Sequence, residues 1–264
     1  MLRERLDAGR FPAMRLLAFA ALLLALLPVY AFAQIRVASE FAGASTLTRA
    51  GNELLVADQT ALWRVQMGAP HAVPWVSLRN KDVRAVAVDG ALTYVADAAN
   101  EQLLAFNRAG ESVVLREDVR ATALAVDRSG ALFWLGDQGL LHMLTANRHE
   151  VRALRIERRF APGAHLAFDG QNVLVFEPDA LWVRTPVGEL QPSILPEAPV
   201  RHAAAQGAVR WFLGTGWVKV VHPGGTEHIA VPEDGVQVAP GFALDFFLLT
   251  PDALWHWPAP ASLR

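Results

Sequence analysis

Apolar runs of four to six residues recur along this chain at a nearly constant interval, each ending in a polar residue. The runs are ELLVAD, LTYVAD, LFWLGD, VLVFE, RWFLGT and FFLLT, closing at Asp58, Asp97, Asp137, Glu177, Thr215 and Thr250. The steps between those end points are 39, 40, 40, 38 and 35 residues. A second short apolar run follows each: ALWRV, QLLAF, LLHML, ALWVR, WVKVV and ALWHW. The pentapeptide PDALW, present at 178–182 and 251–255, is therefore a turn followed by the same strand in two units. No stretch of 10–15 residues carries the 3.6-residue period of an amphipathic helix.

Glycines precede the anchored runs at Gly51, Gly90, Gly130, Gly170, Gly207 and Gly241. Asp89-Gly90 and Asp169-Gly170 are tight-hairpin dipeptides, because glycine accepts the positive φ such turns demand. A further strand lies before each glycine, as in VRAVAVD and TALAVD, and a fourth follows the second apolar run, as in SVVLR and EHIAV. Each unit is thus four short strands, repeated six times. Four-stranded units at this period predict an all-β, six-bladed β-propeller. The last unit has three strands of its own, so the orphan strand IRVAS at 35–39 is expected to complete it and close the ring. Trp and Leu at repeating positions are expected to pack between blades.

Residues 1–33 stand apart from this rhythm. Arg3, Arg5, Arg10 and Arg15 precede the run LLAFAALLLALLPVY and then Ala31-Phe32-Ala33. A basic stretch, a short apolar core and an A-x-A site predict a cleaved signal peptide, with the propeller domain spanning 34–264. The apolar run is shorter than the roughly 20 residues of a membrane helix, so no stable membrane anchor is expected after cleavage. The expected location is periplasmic or secreted. Residues 34–264 keep 20 of the 24 basic and 24 of the 26 acidic residues, a formal net charge of −4. With no long basic tract, nucleic acid is not an expected partner. The chain has no cysteine, which excludes disulfides, thiolate metal sites and covalent haem attachment.

The segments ATALAVDRSGALFWLGDQGLLHML (121–144) and VRAVAVDGALTYVADAANEQLLAF (83–106) carry the rhythm of NHL-repeat and SMP-30/gluconolactonase-like six-bladed propellers. The whole of 34–264 resembles those families in architecture. The resemblance implies a metal-dependent lactone or ester hydrolase as one function, with Glu, Asn and Asp ligands for a divalent cation. The matching positions here depart from that set.

Loops entering the innermost strands ring one mouth of a propeller's channel, and ligands favour such multi-loop concavities. The residues expected there are Ser45, Thr46, Arg84, Arg120, Thr122, His165, Arg201, His202 and Gln237. Of these Arg84, Arg120, Thr122, His165, Arg201 and His202 are the candidate ligand-binding residues. Arginine and histidine together point to a small anionic ligand, since guanidinium groups hold carboxylates in paired hydrogen bonds. A partner protein at the same mouth is the other expectation. Asp82, Glu117, Asp118, Glu233 and Asp234 lie close in sequence, so local ion pairing competes with both. The acids Asp58, Asp97, Asp137 and Glu177 are expected to cap turns rather than to form a ring of ligands. No G-x-S-x-G elbow, H-E-x-x-H pair or phosphate loop occurs, no catalytic residue is assigned, and no cofactor is expected outside the hydrolase reading.

Overall fold

The recurrence resolves into six four-stranded antiparallel sheets in a computed structural model of the chain. The structure describes residues 34–38, 40–69, 71–145, 151–153, 158–194 and 199–259. The expected signal peptide, 1–33, lies outside the described residues. In chain order, β1 (Ile35–Ala38) precedes the first blade, β2 (Thr46–Ala50), β3 (Glu53–Ala57), β4 (Ala61–Gln66) and β5 (Ala72–Ser77). The second blade is β6 (Val83–Val88), β7 (Thr93–Asp97), β8 (Gln102–Phe106) and β9 (Ser112–Arg116). The third is β10 (Ala121–Val126), β11 (Leu132–Gly136), β12 (Leu141–Leu144) and β13 (Val151–Ala153). The fourth is β14 (His165–Phe168), β15 (Val173–Phe176), β16 (Leu181–Arg184) and β17 (Leu190–Ser193). The fifth is β18 (His202–Gln206), β19 (Val209–Leu213), β20 (Trp217–His222) and β21 (Gly225–Ala230). The sixth takes β22 (Gln237–Pro240), β23 (Phe246–Leu249) and β24 (Leu254–Trp257), and β1 completes it.

Ring closure follows the expectation from the orphan strand. β1 pairs antiparallel with β24, with Ile35 opposite His256 and Arg36 opposite Trp255. The six innermost strands, β2, β6, β10, β14, β18 and β22, each neighbour the next, and β22 returns to β2. Among the described residues there is no helix.

The pleat explains why the second strand of each blade is apolar throughout. Successive side chains in a strand point to opposite faces. In β7, Tyr94 and Ala96 join a core cluster with Leu124, Leu132 and Trp134 of the third blade. Val95, between them, joins Leu55, Ala57 and Leu62 of the first blade. Both faces are buried, so alternation disappears and an unbroken apolar run replaces it. Each remaining cluster likewise draws on two successive blades, pairing the sixth with the first, the third with the fourth and the fourth with the fifth. Tryptophan packs in these seams: Trp134 belongs to one cluster, and Trp63, Trp75, Trp182 and Trp217 flank others. Trp211 and Trp257 are fully buried. The outermost strands are solvated, with Val73 on β5 and Val113 on β9 mostly exposed.

The glycine ladder holds in five blades. Gly51, Gly90, Gly130, Gly170 and Gly207 adopt φ between 57° and 95°, whereas Gly241 does not. In the sixth blade Gly241 opens the turn: its N–H bonds to Asp245 C=O at 2.9 Å, and Ala243 takes the left-handed φ of 53°.

Candidate functional site

The inner strands enclose a channel of about 440 Å³ along the propeller axis. At its mouth each blade contributes one residue from the start of its inner strand: Thr46, Arg84, Thr122, His165, His202 and Gln237. Two of these stand on irregularities. Val83 pairs with Asp97 and Ala85 with Ala96, which leaves Arg84 as an extra residue in β6. Thr122 is the corresponding extra residue between Ala121 and Ala123 in β10. A β-bulge re-aims the side chain it carries. Here it lifts one arginine and one threonine out of the sheet register, and both are exposed at the lumen.

The histidines come from adjacent blades and meet. Their ring centroids are 4.9 Å apart with planes inclined at 62°, an edge-to-face contact. Val238 N–H donates to His202 Nδ1 at 3.3 Å. Nδ1 therefore bears the lone pair, and the network assigns the proton to Nε2. Burial drives the His202 imidazole well below its usual titration range, and the neighbouring His165 adds to that effect. His165 is also lowered by burial, opposed in part by a hydrogen bond to the Arg201 backbone. Both side chains line the channel and are half-buried, and with their titration lowered by burial both rings are neutral at pH 7. The pair offers hydrogen-bonding nitrogens without charge. Gln237 Oε1 accepts from Leu47 N–H at 2.7 Å and so ties the sixth blade to the first across the closure seam. Thr122 Oγ1 donates to Leu135 C=O at 3.3 Å.

The three arginines singled out in the sequence are engaged locally. Arg84 lines the channel and places Nε at 2.9 Å and Nη2 at 2.6 Å from the same Asp82 carboxylate oxygen. Arg120 pairs with Glu101, not with Glu117 or Asp118, and that bond holds its pKa above the usual guanidinium value. Arg201 donates to the backbone carbonyl of Glu233 at 2.8 Å rather than to a carboxylate. Arg120 and Arg201 do not line the channel, and neither does Ser45, whose Oγ lies 3.5 Å from Thr46 Oγ1.

The recurring acids turn away from the lumen and hold the mouth loops. Asp58 accepts from Thr60 N–H and Ala61 N–H at 2.7 Å, and also from Ala42 N–H at 3.0 Å in the loop feeding β2. Asp97 accepts from Ala99 and, across the blade, from Asp82 N–H at 3.1 Å. Glu177 accepts from Ala161 N–H and Trp182 Nε1, both at 2.7 Å, and from Arg158 at 2.8 Å. Burial alone raises all three carboxyl pKa values, but these hydrogen bonds outweigh it and the net shift is downward. The ladder therefore straps each turn between second and third strands to the loop that enters the inner strand. Asp137 is exposed and shares only the backbone link, its N–H bonding to Arg120 C=O at 3.0 Å.

One lining residue was not singled out from sequence. Arg49 lies near the far end of β2, at the channel floor. Its Nε donates to Gly51 C=O at 2.9 Å, and its Nη1 donates to Gln206 Oε1 at 2.5 Å and to Gly241 C=O. It braces three blades and sits 5.4 Å from the Phe242 ring centroid. The only sequence signal is a basic residue at the end of an otherwise neutral inner strand, just before the glycine turn.

No protein-family model and no curated protein sequence matches this chain. Solved structures do. A gluconolactonase from Xanthomonas campestris superposes with a TM-score of 0.70 at 13% identity, covering 86% of this chain and 89% of that one. The likeness is one of fold. An auxiliary nutrient binding protein from Bacteroides thetaiotaomicron gives 0.64 at 10% identity, covering 82% and 69%. Virginiamycin B lyase from Staphylococcus aureus gives 0.59 at 8% identity, covering 86% and 87%. The gluconolactonase-like six-bladed architecture expected from the repeat rhythm is thus present, on a scaffold that carries several activities.

Proposed function

We propose that the protein is an exported binding protein that captures a small anionic ligand in its central channel. The supporting observation is the composition of the channel lining: two arginines, two neutral histidines, threonine and glutamine, with no carboxylate among them. Such a wall offers hydrogen-bond donors and a positive potential, which select anions. Export accords with the arginine-then-apolar N-terminus. An auxiliary nutrient binding protein with a similar fold is consistent with this reading.

A second reading, metal-assisted hydrolysis of a lactone or ester, draws on the gluconolactonase likeness. Hard divalent cations take carboxylate and carbonyl oxygens. The channel lining has no carboxylate, and no three potential metal-binding side chains cluster among the described residues. The His202 Nε2 proton further opposes metal ligation by that nitrogen. The donor set does not fit, and no step is assigned to a metal.

Ligand-observed NMR with a panel of small carboxylates, phosphate esters and neutral sugars tests the binding reading. The anions should bind residues 34–264, and Ala167→Trp, which fills the lumen, should abolish that binding. Preference for neutral sugars, or anion binding that survives the blocked lumen, would overturn it. A near-stoichiometric divalent ion in protein purified without chelator, with a melting temperature that falls on adding EDTA, would put the hydrolase reading in its place.

A further inference from the structure

The channel's two ends carry cations of different standing. At the mouth, Arg84 is already neutralised by Asp82. At the floor, Arg49 has no carboxylate within ion-pair distance among the described residues, and its three hydrogen bonds all go to neutral oxygens. Those bonds use Nε and Nη1 and leave Nη2 with hydrogens to donate. Neutral oxygens orient a guanidinium but do not cancel its charge. Among the described residues, Arg49 is therefore the one uncompensated formal charge in the channel lining.

The spacing adds a second constraint. Thr46 and Arg49 are separated by three residues of β2, about 10 Å at roughly 3.3 Å per residue. Between mouth and floor the wall is mostly apolar, with Val86, Leu124, Ala167 and Ala204 along it and the Thr48 hydroxyl as its polar group on β2. At the mouth the groups not already taken are neutral donors and acceptors. We infer that the ligand enters anion-first, seats a single negative charge on Arg49, and hydrogen-bonds a neutral polar far end at the His165–His202 edge. This rests on the channel-binding reading above and narrows it to a class: slender monoanions with an apolar middle, such as straight-chain carboxylates bearing a terminal hydroxyl or amide. A single donating nitrogen suits one charge, whereas a phosphate dianion would stay under-compensated in so narrow a lumen.

Calorimetric titration of residues 34–264 with ω-hydroxyoctanoate, and with the diol of equal length, reads this out. The carboxylate should bind and the diol should bind far more weakly. Arg49→Gln should weaken carboxylate binding by about tenfold or more, the worth of a charged hydrogen bond in a confined site. Gln206→Glu should do the same by placing a carboxylate against Nη1, and it keeps the brace in place if Arg49→Gln fails to fold. Arg84→Gln should change affinity by no more than about twofold, as for an exposed, locally satisfied pair. If Arg49→Gln and Gln206→Glu bind as the unaltered protein does while Arg84→Gln loses binding, the anion sits at the mouth and only the floor assignment falls. If the folded, unaltered protein binds neither this carboxylate nor any other, the floor assignment and the channel reading fall together.

Discussion

The mouth and the floor of the channel each carry an arginine, yet the two ends differ in what that arginine meets. At the mouth, Arg84 finds an acid, Asp82, and the two charges cancel in the open. At the floor, Arg49 is half-buried, and burial lowers its pKa from the usual guanidinium value without discharging it. It is positioned by Gln206 and two backbone carbonyls. A basic residue's type therefore says little about whether its charge is available. The compensating partners, often distant in sequence, decide that.

The largest effect should come from the straps that shape the mouth. Asp97 is buried and accepts from Asp82 N–H, Ala99 N–H, Asn100 and Lys81. Asp97→Ala leaves those donors without a partner and should cost about 3 kcal/mol, read as a shifted midpoint in urea unfolding. Asp137→Ala, at the same repeat position but exposed, should lie within about 0.5 kcal/mol of the unaltered protein. Equal effects at the two positions would mean that the straps do not set the mouth.

Acid titration should show the same straps. Hydrogen bonds hold the folded pKa values of Asp58, Asp97 and Glu177 below the ordinary carboxylate values of 3.8, 3.8 and 4.5. Their stabilisation is fully present above those values and is lost as pH falls through the lower folded pKa values. The histidines act at higher pH. With folded pKa values below 6.5, His165 and His202 bind fewer protons folded than unfolded. Stability should therefore decline as pH drops below about 6.5. The His202→Gln variant should flatten that decline, and an unchanged slope in thermal melts from pH 7 to pH 5 would count against a neutral buried pair.

A smaller difference separates the two arginines in the absence of ligand. Arg49→Leu strands Gln206 Oε1 and two carbonyls and should cost about 1–3 kcal/mol. Arg84→Leu removes an exposed pair and should cost about 0–1 kcal/mol. Denaturant midpoints measured side by side would order them, and a larger loss at Arg84 would reverse the comparison between mouth and floor.

Much of this architecture was legible in the residues. The interval between Asp58, Asp97, Asp137 and Glu177 reported the blade period, because every blade repeats one hydrogen-bonding problem at one turn. The apolar runs reported strands buried on both faces. The lone strand at 35–38 reported the closure, because an open ring leaves bare sheet edges. The turn at Gly241 was also legible, but not that its positive φ falls on Ala243, because no local pattern marks that position.

The candidate site was legible only in part. Thr122, His165 and His202 could be placed at the lumen because each opens an inner strand. Sequence also supplied the blade count, the seams and the fact that each mouth position draws on a different unit, since all of these follow from local periodicity and side-chain pattern. Only the tertiary structure decided that His165 and His202 touch, that Arg120 turns to Glu101 and Arg201 to the Glu233 carbonyl, and that Arg49 reaches Gln206, 157 residues away, with no acid to meet it. Closing the ring sets residues from distant blades side by side, and electrostatic compensation depends on that proximity rather than on order along the chain.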